Sequence, residues 1–267
     1  MGGSVEWTTQ EWEEALDWFE QFASVYVLSL PSDKLRRTKS SECMGKANIK
    51  EFEFVDGFDM RQPAALGVAE MEGLVPKSYD KQKAQGEAYR QGMGAIMGTL
   101  GCLVGHLRAQ RRGVIHNRRK ATLVFEDDIC PNEDFIPRLW RLVTGELPCD
   151  WQAVSLQSKC PVGSCVSPHL TRVQPDPNDL ASTCRHGVNF AMYGVLYRTD
   201  AVESLQNELK QIVFDETLPH CLDVDVAMAA ISDKINYYAV PASQQPGFLR
   251  EIPEGSARVA VNSGSHQ

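Results

Sequence analysis

An α/β fold in a single domain is what this sequence predicts, and three observations predict it. The chain opens strand, helix, strand: VYVLSL at 25–30, a basic turn into a short helix, then EFEFVDG at 51–57, which is the start of a βαβ unit. Apolar runs of strand length then alternate with helical periodicity to about residue 241. No repeat, low-complexity run or linker interrupts them, so residues 1–252 read as one domain and 253–267 as a flexible tail. Thirty-five acidic against 27 basic side chains leave a net charge of −8, which offers no field for phosphate backbones or anionic lipid and excludes nucleic acid as the main partner. No run approaches the ~18 apolar residues of a membrane span. The acidic start MGGSVEWTTQEWEEALDWFE is unlike a signal peptide. The expectation is a soluble protein, cytoplasmic, or lumenal where the chain is a trimmed fragment.

The elements follow in order. Trp12, Leu16, Phe19 and Ala23 recur at helical spacing in an acidic segment, giving an amphipathic helix over 8–22 that packs on the domain. VYVLSL is a buried strand stopped by Pro31 and Ser32. Residues 60–92, with Pro63, Gly67, Gly73, Pro76 and Gly86, carry little periodic signal and read as an irregular excursion. GMGAIMGTLGCLVGHLRAQRR at 92–112 alternates small and apolar residues; as a helix it must offset about 1 kcal/mol per glycine by close packing. ATLVF at 121–125 is a short apolar strand running straight into Glu126-Asp127-Asp128. Beyond it the pattern predicts a helix over 135–143, a strand over 151–156, a long loop over 157–188, and a strand over 189–197. Asp200 with Glu203 predicts a capping box opening a helix to about Ile212. LDVDVAMAAIS gives a last helix and INYYAVP a last strand.

With eight cysteines and no secretory signal, reduced thiols are the default. Cys43, Cys102, Cys130, Cys149 and Cys221 lie far apart and read as small buried hydrophobes. Cys160, Cys165 and Cys184 with His186 supply enough ligands for zinc, but at an unfamiliar spacing; a zinc site, a disulfide and an ordinary loop all remain open.

The chemistry concentrates in two acidic elements. On an extended strand Glu126 and Asp128 project to one face and Asp127 to the other. At the carboxyl end of a central strand, where open α/β sheets bind ligands, such a pair calls for a cation. Oxygen ligands suit Mg2+ or Mn2+, which complete their shells from water and phosphates, so the implied ligand is a diphosphate; a solvated acidic turn is the alternative. Asp223 and Asp225, after His220, either cap and charge the start of a helix or place a general base beside an acceptor hydroxyl. His220 could complete the metal shell or be an ordinary histidine. The glycines at 98 and 101 lack a Walker lysine. Cys102 and His106, one helical turn apart, read as packing rather than a thiol nucleophile, and no nucleophile elbow is present.

VYVLSLPSDKLRR, FVDGFD, GTLGCLVGHLRAQRR and ATLVFEDDICPNEDF, in that order, resemble glycosyltransferase family 25, whose members include lipopolysaccharide and procollagen galactosyltransferases. The resemblance is specific over 24–156 and weaker to about 241. It implies a GT-A fold, a Rossmann-like mixed sheet flanked by helices, with a metal-bound UDP-sugar and inversion at the anomeric carbon. It further implies that Asp128 is the direct metal ligand, within the family's Glu-Asp-Asp motif that Glu126 opens; His220 stays a candidate ligand from the residues alone. Leu28, Ser29, Leu30, Arg37, Asp56, Gly57, His106, Glu126 and Asp127 would flank the nucleotide, and Asp225 or Asp223 would act as base. The implied partners are the nucleotide-sugar donor and a glycan or hydroxylated acceptor. Gly105 stands where the family's G-C-x-x-S-H element has serine. A rival expectation is an inactive module of the same fold that binds a glycan or a protein.

Overall fold

The computed structural model describes residues 6–116, 118–158, 163–175, 192–243 and 247–252. The first helix, α1 (Thr9–Phe22), is closed by a capping box: the Thr8 hydroxyl accepts from the Glu11 backbone N–H, and Glu11 accepts from that of Thr8 at 3.0 Å. Ala15 and Phe19 form its buried stripe. Next come β1 (Ala23–Ser29), α2 (Lys34–Lys46) and β2 (Glu53–Asp56). The chain continues with α3 (Ala65–Met71), α4 (Lys81–Arg90), α5 (Met97–His116), β3 (Ala121–Glu126), β4 (Ile129–Pro131) and α6 (Phe135–Arg141). Four strands follow, β5 (Ala153–Ser158), β6 (Gly163–Ser167), β7 (Leu170–Val173) and β8 (Gly194–Arg198), then α7 (Val202–Val213), α8 (Val224–Ala230), β9 (Tyr237–Pro241) and β10 (Leu249–Glu251).

Eight strands form one mixed sheet in the order β2-β1-β3-β8-β5-β9-β7-β6, and β10 pairs antiparallel with β4 beside it. β1 runs parallel to both β2 and β3, β8 enters antiparallel between β3 and β5, and β9 is parallel to β5. Alternation along the strands sends side chains into two cores. Tyr26, Val124, Tyr197 and Tyr237 meet Leu103 and Leu107 of α5, Leu205 of α7 and Met228 of α8. On the opposite face Val25, Val27, Leu123 and Phe125 meet Phe19 of α1, Met44 of α2 and Phe135 of α6. Each such buried side chain contributes about 1.5–3 kcal/mol relative to exposure. The mixed sheet flanked by helices is the architecture expected.

The glycines of α5 show what offsets their cost. A Cβ at Gly101 would stand 2.3 Å from the Phe58 carbonyl oxygen, and one at Gly113 would stand 2.1 Å from Thr122 Oγ1. The helix therefore lies closer to the sheet and to the Phe58 loop than any side chain would allow.

Several expectations are corrected. The excursion at 60–92 holds α3 and α4; their buried positions are Ala69, Ala84 and Ala88, and alanine gives almost no hydrophobic periodicity to read. Asp80 caps α4 by accepting from the Gln82 and Lys83 N–H groups. Within the 157–188 loop lies the β6–β7 hairpin at the sheet's edge, where β6 is largely exposed and shows no alternation. The Asp200 carboxylate accepts from Arg198 at 2.7 Å instead of capping α7, which starts after a short 3-10 turn over Thr199–Ala201.

Cys43 and Cys130, expected as reduced buried hydrophobes, form a disulfide, and Cys221 is disulfide-bonded as well. Cys102, Cys149 and Cys165 are not in disulfides. Cys160, Cys184, His186, residue 189 and the tail at 253–267 lie outside the described residues. No helix among the described residues is long and apolar enough to cross a membrane.

Candidate active site

Three strand ends lie side by side, since Ser29 is in register with Asp56 and Leu28 with Glu126. The turn after β1 leads into α2, capped by Asp33, whose carboxylate accepts from the Arg36 N–H at 3.1 Å. Arg37 then reaches back: Nη2 donates to the Ser29 carbonyl at 3.1 Å and pairs with Asp56 at 2.5 Å, and its guanidinium stands 5.0 Å from the Phe54 ring centroid. Gly57 N–H donates to the same Ser29 carbonyl. Ser29, Arg37, Asp56 and Gly57 are thus brought together at one edge, with Leu28 and Leu30 on the adjoining chain and Leu28 packed on Gly105. A Cβ at Gly105 would lie 2.7 Å from Leu28 Cδ1, so in this chain Leu28 occupies the space a serine there would need.

The carboxylates part at the end of β3. Glu126 turns to α5, where its Oε1 lies 3.1 Å from His106 Nε2 and 3.4 Å from Cys102 Sγ. Asp127 turns to α2, pairing with Arg36 at 2.9 Å, while its backbone carbonyl accepts from Ser40 Oγ at 3.0 Å. Asp127 is the first residue of the turn, so strand alternation does not reach it. β3 ends at Glu126, and Asp128 lies in the turn beyond; it lines a pocket with Asp127, Leu35, Arg36, Lys39 and Ile252. The Asp128 carboxyl is pushed up to about 6, first by burial, then by the charges of Glu126 and Asp127, with Arg36 opposing. Its Oδ1 is buried with no hydrogen-bond partner.

Asp223 takes the N-cap position of α8 without a side-chain cap bond, and Asp225 accepts from the Val226 N–H at 2.9 Å in the first turn. Burial, and after it the charge of Asp225, pushes Tyr237 up. α8, which carries Asp225, and α5, which Glu126 faces, pack with Tyr197 and Tyr237 on one face of the sheet. His220 sits in the short turn Pro219–Leu222, and among the described residues no group of three close metal ligands contains it or Asp128. The residues sequence reasoning missed are Arg36, Lys39, Ser40 and Ile252. Arg36 belongs to the basic turn already noted, but only the helix register shows that it, and not Arg37, faces Asp127; Lys39 lies a turn further along α2 and lines the same pocket. Ile252, whose N–H donates to the Asp128 carbonyl at 2.8 Å, had no sequence signal.

Comparison with known proteins agrees with the expected family. Residues 22–148 match the profile of Glycosyltransferase family 25 (LPS biosynthesis protein). No curated protein matches the chain. Among solved structures, a glycosyltransferase involved in the glycosylation of the major capsid of PBCV-1 aligns with 8% identity over 91% of this chain and 97% of its own, at a TM-score of 0.45. A197 from STIV aligns at 12% identity over 83% of each chain, with a TM-score of 0.40. S. aureus TarS 1-349 aligns at 14% identity, covering 84% of this chain and 59% of that one, also at 0.40. From β1 through the three carboxylates to the end of α6 and just beyond, residues 22–148 are similar to glycosyltransferase family 25, and that similarity supports a glycosyltransferase.

Proposed function

We propose that the chain moves a hexose, galactose in the first instance, from a UDP-sugar to a hydroxyl of a glycan or a modified protein side chain, with inversion and with a divalent cation. The observation that carries this reading is the Asp127–Asp128 pocket at the end of β3, where Asp128 Oδ1 is buried and unpartnered. An orphaned carboxylate oxygen among like charges fits a hard cation, and an oxygen-only set suits Mn2+ or Mg2+. Asp128 would hold it, with Asp127 beside it and Glu126 adding charge. Such an ion, when bound, offsets the negative charge developing on the departing diphosphate.

The remaining work falls to the chain's own groups. The edge built by Leu28, Ser29, Leu30, Arg37, Asp56 and Gly57 frames the nucleotide, at the carboxyl ends of parallel strands where such sheets take ligands. His106 acts on it only through Glu126. Asp225 takes the proton of the acceptor hydroxyl as the new glycosidic bond forms, with Asp223 at the helix start as its neighbour and second candidate. The Cys43–Cys130 disulfide supports maturation in an oxidising compartment, against the cytoplasmic expectation.

The experiment is thermal unfolding of the parent and of Asp128→Ala, with and without UDP plus Mn2+, alongside UDP-sugar hydrolysis and transfer by Asp225→Asn. A ligand at a hundred times its dissociation constant adds ~2.7 kcal/mol, a shift of several degrees at this size. The expected result is a shift in the parent that requires both components and is lost in Asp128→Ala, and an Asp225→Asn protein that binds UDP but does not transfer. A parent that ignores UDP and Mn2+ would refute the donor site; full transfer by Asp225→Asn would remove Asp225 as base.

A further inference from the structure

Cys102 and His106 stand one turn apart on α5, and Glu126 ends β3 opposite them. Their ligand atoms converge: Sγ, Nε2 and a Glu126 oxygen all lie within 4.8 Å of one another, two of the separations being 3.1 and 3.4 Å. Around tetrahedral zinc, with bonds of about 2.0–2.3 Å, neighbouring ligand atoms are about 3.3–3.7 Å apart. Two of the separations therefore already suit one ion, and the third, at most 4.8 Å, closes by about 1 Å or less. The helix that carries two of them is held by close packing, since Gly101 sits against the Phe58 carbonyl and Gly105 against the Leu28 side chain. His106 is fully buried, which sets the direction of its ring, and Cys102 is not in a disulfide. Glycosyl transfer as described above gives that thiol nothing to do.

We propose that Cys102, His106 and Glu126 form a zinc site, with three protein ligands and a fourth position open towards the partly exposed Glu126. The site is separate in chemistry from the oxygen-only pocket of Asp127 and Asp128. Thiolate and imidazole select zinc over Mn2+ and Mg2+. On uptake the thiol loses its proton to solvent, and the imidazole binds through the Nε2 lone pair with its proton on Nδ1. One proton is released for each zinc bound. Zinc, one thiolate and one carboxylate sum to zero charge, and the ion would rivet α5 to the end of the strand that leads into the carboxylate turn.

The test uses the whole chain, without added reductant, and Co2+ as a spectroscopic probe that zinc then displaces. The parent and Asp128→Ala should both show a thiolate-to-cobalt charge-transfer band. Cys102→Ser should lose it and bind zinc at least a hundredfold more weakly. X-ray absorption at the zinc edge of the parent, which needs no variant to fold, should show one sulfur among nitrogen and oxygen ligands. Absence of the band in the parent, its survival in Cys102→Ser, or a zinc shell with no sulfur or with two would each overturn the site. None of these readings involves UDP or Mn2+, so loss of the donor site and loss of the zinc site are told apart.

Discussion

Asp128 holds a charge in the place least suited to one, and that has a consequence for stability in metal-free protein. Its folded pKa of about 6 lies above the ordinary 3.8, so the native state binds this proton more tightly than the unfolded chain does. The resulting stability is complete below about pH 4 and is lost as the pH rises through 6. Asp128→Asn should therefore leave stability at pH 4 nearly unchanged and raise it by of order 2–3 kcal/mol at pH 7.5. Urea unfolding of both proteins at the two pH values measures this; an equal pH dependence in parent and variant would place the cost elsewhere. Gly105→Ser, which supplies the serine of the G-C-x-x-S-H element this segment resembles, should destabilise by about 1–3 kcal/mol through the clash with Leu28. Part of that loss should return when Leu28→Ala is added, a coupling that a double-mutant cycle reads directly. The three carboxylates were legible from sequence because an apolar strand ran into them. Which of them is stranded was not, because the strand ends at Glu126 and the alternation rule ends with it.

α2 and β4 are joined by the Cys43–Cys130 bridge. α2 brings Arg36 and Ser40 to Asp127, and β4 begins one residue after Asp128, so the bridge braces the pocket from both sides. Replacing both cysteines by serine should cost about 2–4 kcal/mol, as removal of a cross-link over 87 residues does. It should also weaken UDP–Mn2+ binding; unchanged binding with the lower stability would limit the bridge to a structural role. The bridge was invisible to spacing, because two cysteines so far apart give no local pattern. The long apolar elements β1, β3, α5 and β9 were legible because each buries a continuous run or stripe. α3 and α4 were not, as alanines make their buried faces, and neither were the three-residue strands β4 and β10, which are too short for any period to repeat.

One sheet serves both cores of the molecule, and its five tryptophans report on only one of them. Trp18, Trp140 and Trp151 pack against the core on the α1 and α6 side, Trp12 lies in α1, and Trp7 stacks with Arg141 at 3.9 Å. If both faces unfold with the sheet as one body, tryptophan fluorescence and far-ultraviolet circular dichroism should give coincident denaturation curves. A fluorescence transition that departs from the other by more than error would mean that the α1 face opens separately. The pairing of β10 with β4, and the bond from Ile252 to the Asp128 carbonyl, also set an order of events during synthesis. The strand that frames the carboxylate turn leaves the ribosome about 120 residues after the turn itself, long after the rest of the β1–β3 layer can pair. A nascent chain halted before residue 249 carries Asp127 and Asp128 and still lacks the strand and the Ile252 wall of their pocket, so the proposed donor site would be complete only once residue 252 has been made.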